Sequence, residues 1–275
     1  LSRSALPTMS PSPTSTVTYS SYLRLEELLS LQSPLSDAPE HDELLFISIH
    51  QVYELWFKQV LHEAYDLRAA LFAADANRVL ARFKRILTIF KTLVAQVDVL
   101  ETMTPLSFNA FRARLESSSG FQSAQFRELE FVLGARDARR LAVYPDGSAE
   151  RAKLSTALAE PSLYQAFLAF LAAQGSAVPK AALRSAPASG APVANPELHP
   201  ALIAVYRAQG FAAQVAERMV DLDEALQEWR YRHVKMVERT IGSKIGSGGS
   251  SGAEYLKRSL FVPLFPDLWA IRSEL

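Results

Sequence analysis

The chain has no cysteine. Disulfides, thiolate metal sites, a cysteine nucleophile and thioether-linked haem are therefore excluded, and such a composition fits a reducing cytoplasm. An excess of either charge is missing too. Lys plus Arg and Asp plus Glu each total 29, so no global field draws nucleic acid or an anionic membrane surface. No apolar run approaches the roughly 18 residues that cross a bilayer, and no membrane partner is expected. Residues 1–18, LSRSALPTMSPSPTSTVT, lack the continuous apolar segment of a signal peptide and read as a disordered arm. Strand signals are nearly absent: there is no sustained two-residue alternation and no Asn-Gly or Asp-Gly turn between β-branched runs.

What is present is helical. Residues 19–275 read as one all-α domain, a bundle around a single core that 275 residues can readily bury. Residues 19–32 carry an apolar stripe at Tyr22, Leu25, Leu28 and Leu29 that Pro34 ends. Ser36 or Asp37 is the expected cap of a long helix reaching about residue 74, and a second spans 77–103. The short turn between them makes a helical hairpin. Thr104-Pro105 opens a further helix, with the threonine as cap and the proline in the first turn. Residues 117–123 break the pattern, and helices are expected over 124–143, 149–159 and 161–174. From 175 to 200 the composition shifts to Ala, Pro, Ser and Gly, read as a surface excursion because helical periodicity resumes at once. One or two helices cover 201–240. A glycine-rich loop, 241–252, precedes two short helices.

Five histidines are the first candidates for chemistry. No H-E-x-x-H pair occurs, and His50 and His62 lie too far apart on one helix to share a metal. His41, His62 and His199 read as surface residues. His50 and His233 differ, since both sit mid-helix on apolar, aromatic faces. Each can be a core residue with a satisfied ring, a base or a metal ligand. Two such histidines in a cysteine-free bundle also admit a haem held by one and faced by the other. Around His233 lie Arg230, Arg232, Lys235 and Arg239, either a solvated face or a partner for an anionic cofactor group. The glycine-rich loop is neither a phosphate-binding P-loop nor a dinucleotide fingerprint. It is a mobile linker, or a place where backbone amides and the Ser247 hydroxyl approach a ligand closely. Arg112, among Phe108 and Phe111, is placed to pair with an internal or a substrate carboxylate.

Several blocks in order carry a resemblance: HDELLFISIHQVYELWFKQVLHE, LETMTPLSFNAFR, SSGFQSAQFRELE, WRYRHVKMVERTIGSKIGSGGSSGAEYL and FPDLW. Together they resemble the tryptophan 2,3-dioxygenase family from about residue 19 to the end, most weakly over 175–200. The resemblance implies a haem b enzyme that uses O2 to open the indole of L-tryptophan. It also implies a homotetramer built as a dimer of dimers. It makes His233 the proximal iron ligand and sets His50 near the indole N–H. Phe46 would pack on the indole, Phe108 would contact the substrate, Arg112 would hold the substrate carboxylate and Ser247 its ammonium. Gly248 would lie against the cofactor. Tyr19, Tyr22 and Leu23 match a segment that closes over a neighbouring subunit's site. Two positions depart from the commoner pattern: Ser247 stands where threonine is usual, and Phe108 where some members have tyrosine. They leave open a substituted tryptophan as substrate, and a single oxygen insertion giving a 2-oxindole. A haem sensor without turnover is a further alternative.

Overall fold

The computed structural model describes residues 16–116, 118–184, 191–244 and 253–275, and among them no β-strand forms. Two short helices, α1 (Tyr19–Leu23) and α2 (Leu25–Leu29), lead into α3 (His41–Phe72) and α4 (Ala76–Leu100). There follow α5 (Pro105–Arg112), α6 (Ala124–Leu133), α7 (Ala149–Ala159), α8 (Leu163–Ala173), α9 (His199–Ala208) and α10 (Phe211–Ile241). The short helices α11 (Ala253–Lys257) and α12 (Pro266–Ala270) close the chain.

The expected hairpin is antiparallel, and its side-chain register shows it. Gln96 reaches the Ile49 carbonyl, Tyr53 that of Leu93, Glu63 pairs with Arg85, and Asp66 with Arg78. Partner numbers fall on α4 as they rise on α3. The shared seam is apolar: Val60, Ala64, Leu67, Leu71, Val79, Phe83, Ile86 and Leu93 are all fully buried. Each large side chain so buried contributes about 1.5–3 kcal/mol, which far exceeds what the exposed ion pairs along the seam can add. Helix α10 lies against α4, tied by Arg232 to Asp98 and by Arg239 to Glu101, while α6 and α8 pack on α3.

Local chemistry explains most boundaries. Thr104, Ser123, Ser148 and Ser162 each accept a backbone N–H at the start of their helices. Three expectations are corrected. The helix expected over 19–32 is two pieces, because Arg24 adopts a left-handed conformation (φ 52°) between them. The helix expected over 124–143 stops at Leu133, because Gly134 takes φ 142°, a conformation that L side chains avoid, and a 3₁₀ segment resumes only at Ala138–Val143. Neither Ser36 nor Asp37 caps α3: Glu40 holds the cap position without a side-chain bond, and Glu43 instead accepts the backbone N–H groups of Leu35 and Ser36.

Two buried carboxylates fasten the C-terminal segment. Asp223 of α10 is wholly buried and accepts from Leu264 N, Phe265 N and Trp269 Nε1 at 2.9–3.0 Å. Asp267 accepts from Tyr164 Oη at 2.7 Å and from Asn195 N. His199, expected at the surface, is mostly covered, with Nε2 3.5 Å from Asp267 Oδ1.

Candidate active site

Side chains of α3, α5, α6 and α10 line a cavity of about 1150 Å³, among them Phe46, His50, Phe108, Arg112, Trp229 and His233. This exceeds the roughly 300–1,000 Å³ of most small-ligand pockets. It has room for a large flat cofactor together with a second molecule.

His50 enters from α3. Its Nδ1 lies 2.7 Å from the Phe46 carbonyl oxygen one turn back. That oxygen only accepts, so Nδ1 carries the proton and Nε2 is left as the acceptor of the ring. The ring opens on the cavity, but protein encloses its other sides. Burial lowers its pKa below the usual histidine value, partly offset by the Phe46 carbonyl and by the Glu54 charge. Phe46 packs on it at 4.1 Å between centroids and meets Phe108 at 5.8 Å and Phe111 at 5.5 Å. Phe46 and Phe108 give the cavity an apolar wall, with the wholly buried Phe111 packed behind it. Phe108 and Arg112 are one turn apart on α5, which brings the guanidinium to the cavity beside that wall.

His233 enters from α10. Burial, with a smaller contribution from His50, lowers its pKa to about 4, so the imidazole is neutral near pH 7. Trp229, one turn before it, stacks on the ring at 5.3 Å and 6°. Trp229 is in turn boxed by Tyr53, Phe57 and Phe126, and its Nε1 is buried without a partner. Among the described residues no three His, Asp or Glu side chains gather into a metal site. A lone neutral imidazole would be enough to hold iron whose remaining ligands come mainly from a porphyrin, so this donor set, in a mostly apolar cavity, fits haem.

The basic run divides. Arg232 and Arg239 are spent on Asp98 and Glu101, and Lys235 on Glu238. Only Arg230 of the four lines the cavity, where it and Arg127 flank Glu130, all three about nine-tenths buried. Arg127, Glu130 and the aromatic box were not foreseen. Trp229 alone had a legible signal, since it shares the His233 face at four-residue spacing. Tyr19, Tyr22 and Leu23 do not reach this cavity: they are 77%, 77% and 41% exposed on α1. Ser247 and Gly248 lie outside the described residues.

The tryptophan 2,3-dioxygenase family model matches residues 7–174 and 197–275, sparing most of the stretch read as a surface excursion. A tryptophan 2,3-dioxygenase of Anaeromyxobacter sp. (strain K) is 59% identical over 259 residues, covering 94% of this chain and 96% of that one. One from Herpetosiphon aurantiacus is 56% identical over 261 residues, covering 94% and 98%.

Proposed function

The chain belongs to the tryptophan 2,3-dioxygenase family, and from that premise we propose how its cavity serves the reaction. The activity is haem-dependent oxidation of L-tryptophan: both atoms of O2 enter the indole C2–C3 bond and N-formyl-L-kynurenine results. Bound haem supplies the iron at which O2 is activated.

The remaining work falls to side chains. His233 holds the iron through a neutral imidazole whose plane is set by the stacked Trp229. His50, with its proton fixed on Nδ1, accepts the indole N–H at Nε2 and orients the ring. Phe46 and Phe108 confine the indole plane. Arg112 grips the substrate carboxylate, a geometry the guanidinium fork favours. By the family resemblance, the Ser247 hydroxyl would take the ammonium and Gly248 would serve the cofactor. Held at both ends, the indole keeps C2 and C3 in place, and such orientation removes much of the entropic barrier. The observation that carries this reading is the pair of neutral histidines, from α3 and α10, lining one cavity with Arg112 at its aromatic wall.

The same proposal includes a homotetramer, in which Tyr19, Tyr22 and Leu23 close over the site of a second copy, and a cytoplasmic location in line with the cysteine-free composition. The exposure of these three residues supports a docking role. Turnover of L-tryptophan by the reduced haem protein under ¹⁸O₂ tests the reaction: the product should carry two labelled atoms. A singly labelled product would replace this reading with 2-oxindole formation.

A further inference from the structure

One carboxylate outside the cavity joins three parts of the molecule. Glu43 stands one turn before Phe46 and two turns before His50, on the same stripe of α3. Its side chain is 2% exposed although it sits near the helix start. Oε1 accepts from Leu35 N at 2.7 Å and Oε2 from Ser36 N at 3.1 Å. Both oxygens are thus spent on consecutive backbone amides of the segment that brings the N-terminal arm to α3. Burial pushes the carboxyl pKa up, but Ser36, the two amides and the charge of Arg114 outweigh it, and Glu43 stays below its usual value and ionised.

A second tie lies one residue past His50. Gln51 accepts from Gln32 Nε2 at 2.6 Å and donates to the Leu31 carbonyl at 3.1 Å. Residues 31–36 are therefore anchored at several points, whereas α1 and α2, just before them, bury no side chain. A fixed elbow bearing an exposed arm gives that arm one direction. The third part is the 3₁₀ turn Ala113–Leu115 that follows α5: Arg114, two residues after Arg112, donates to the Leu35 carbonyl at 3.3 Å.

We propose that Glu43 is a positioning residue for substrate binding, which locks the elbow of the N-terminal arm and, through Leu35 and Arg114, holds the turn that carries Arg112. It touches neither substrate nor cofactor. The inference rests on Arg112 and the arm acting as stated under Proposed function. A glutamine here keeps the shape but offers one acceptor oxygen, and its amide N–H₂ meets a backbone N–H. One charge-assisted hydrogen bond is lost, a difference of roughly tenfold in an equilibrium constant.

The test compares the wild-type haem protein with Glu43→Gln, Arg114→Met and the double variant. Tryptophan Kd is read from perturbation of the ferric Soret band, KM and kcat from turnover, and amide hydrogen exchange from residues 31–36. Glu43→Gln should raise Kd and KM roughly tenfold with kcat within about twofold. Exchange at Leu35 and Ser36 should quicken by about the same factor, with the Soret position and haem occupancy unchanged. Arg114 is exposed, so Arg114→Met tests the same link without a buried change. It should raise Kd in the same direction, and the double variant should fall short of the product of the two. Faster exchange with unchanged Kd in both single variants would overturn the proposal, leaving a purely structural elbow. Loss of haem together with tryptophan affinity in Glu43→Gln, with Arg114→Met equal to wild type, would overturn it as well. Failure of the underlying functional reading shows separately, as absence of tryptophan turnover in the wild-type protein.

Discussion

His50 and His233 are both neutral near pH 7 because burial disfavours the imidazolium, but they differ in what fixes their orientation. His50 is fixed by a hydrogen bond to its own helix, His233 by a stacked indole. Each implies a measurable consequence. His233→Ala should lower haem affinity by orders of magnitude and change the Soret spectrum of the ferrous protein, because the other imidazole lining the cavity, His50, is held to the Phe46 carbonyl on α3. An unchanged spectrum would move the iron elsewhere. For His50 the sign is set by its lowered pKa. Protonation removes the Nε2 acceptor, so the acid limb that it contributes to kcat/KM lies below pH 6.5, with full activity above it. His50→Ala should remove that limb and lower kcat/KM roughly tenfold or more, the worth of an orienting hydrogen bond. A pH–rate series on both proteins checks this, and an identical acid limb in the variant would sink the assignment. The linkage to stability runs the same way. Each folded-state pKa lies below the unfolded value near 6.5, so the unfolded chain binds more protons on acidification. Haem-free protein should lose stability from about pH 6.5 down towards 4, as urea midpoints across that range would show.

At the scale of elements, the cavity depends on breaks as much as on helices. Gly134, in a conformation closed to other residues, ends α6 and turns the chain so that the 3₁₀ segment Ala138–Val143 can supply Arg139, Arg140 and Val143 to the cavity rim. The opposite rim is formed by Arg258, Ser259 and the stretch from Val262 to Leu264, held by Asp223. This wall has little helix of its own, and beside the Asp267 bonds and the burial of Leu264, Phe265 and Leu268 it is held by Asp223, which takes three donors from the segment. Asp223→Ala leaves those buried donors unpaired and should cost about 3–5 kcal/mol, with haem retention falling in parallel as the wall loosens. Calorimetry and a haem-loss time course would read both. A stable variant with normal retention would show that the apolar contacts of Leu264, Phe265 and Leu268 suffice.

At the scale of the whole molecule, the arm is the part that a single copy leaves unfinished. Val17, Tyr19, Tyr22, Leu29 and Leu31 are each more than 60% exposed, and such a run of large apolar side chains is normally covered. For the proposed homotetramer, removing residues 1–30 should lower the assembly below four copies and raise tryptophan KM at least severalfold, while the Soret spectrum stays normal. Light scattering of the sized protein and steady-state kinetics decide it; an intact tetramer with unchanged KM would remove the arm from the site. The helical class, the α3–α4 hairpin, the helix cap at Thr104, and the family were legible in the chain. Periodicity, caps and motif blocks are properties of neighbouring residues, which act over one or two turns. The two candidate histidines were legible for the same reason, as mid-helix residues on apolar faces. What periodicity could not reveal is how charges are shared between distant segments. Arg232 and Arg239 look like cofactor partners beside His233, yet α4 claims them, while Glu130, 100 residues before Arg230 in the chain, meets it in the cavity wall. His199 looked like a surface residue until α12 folded over it. Buried carboxylates such as Glu43, Asp223 and Asp267 find their donors only when separate elements have packed. The desolvation that makes those bonds strong exists only in the tertiary structure.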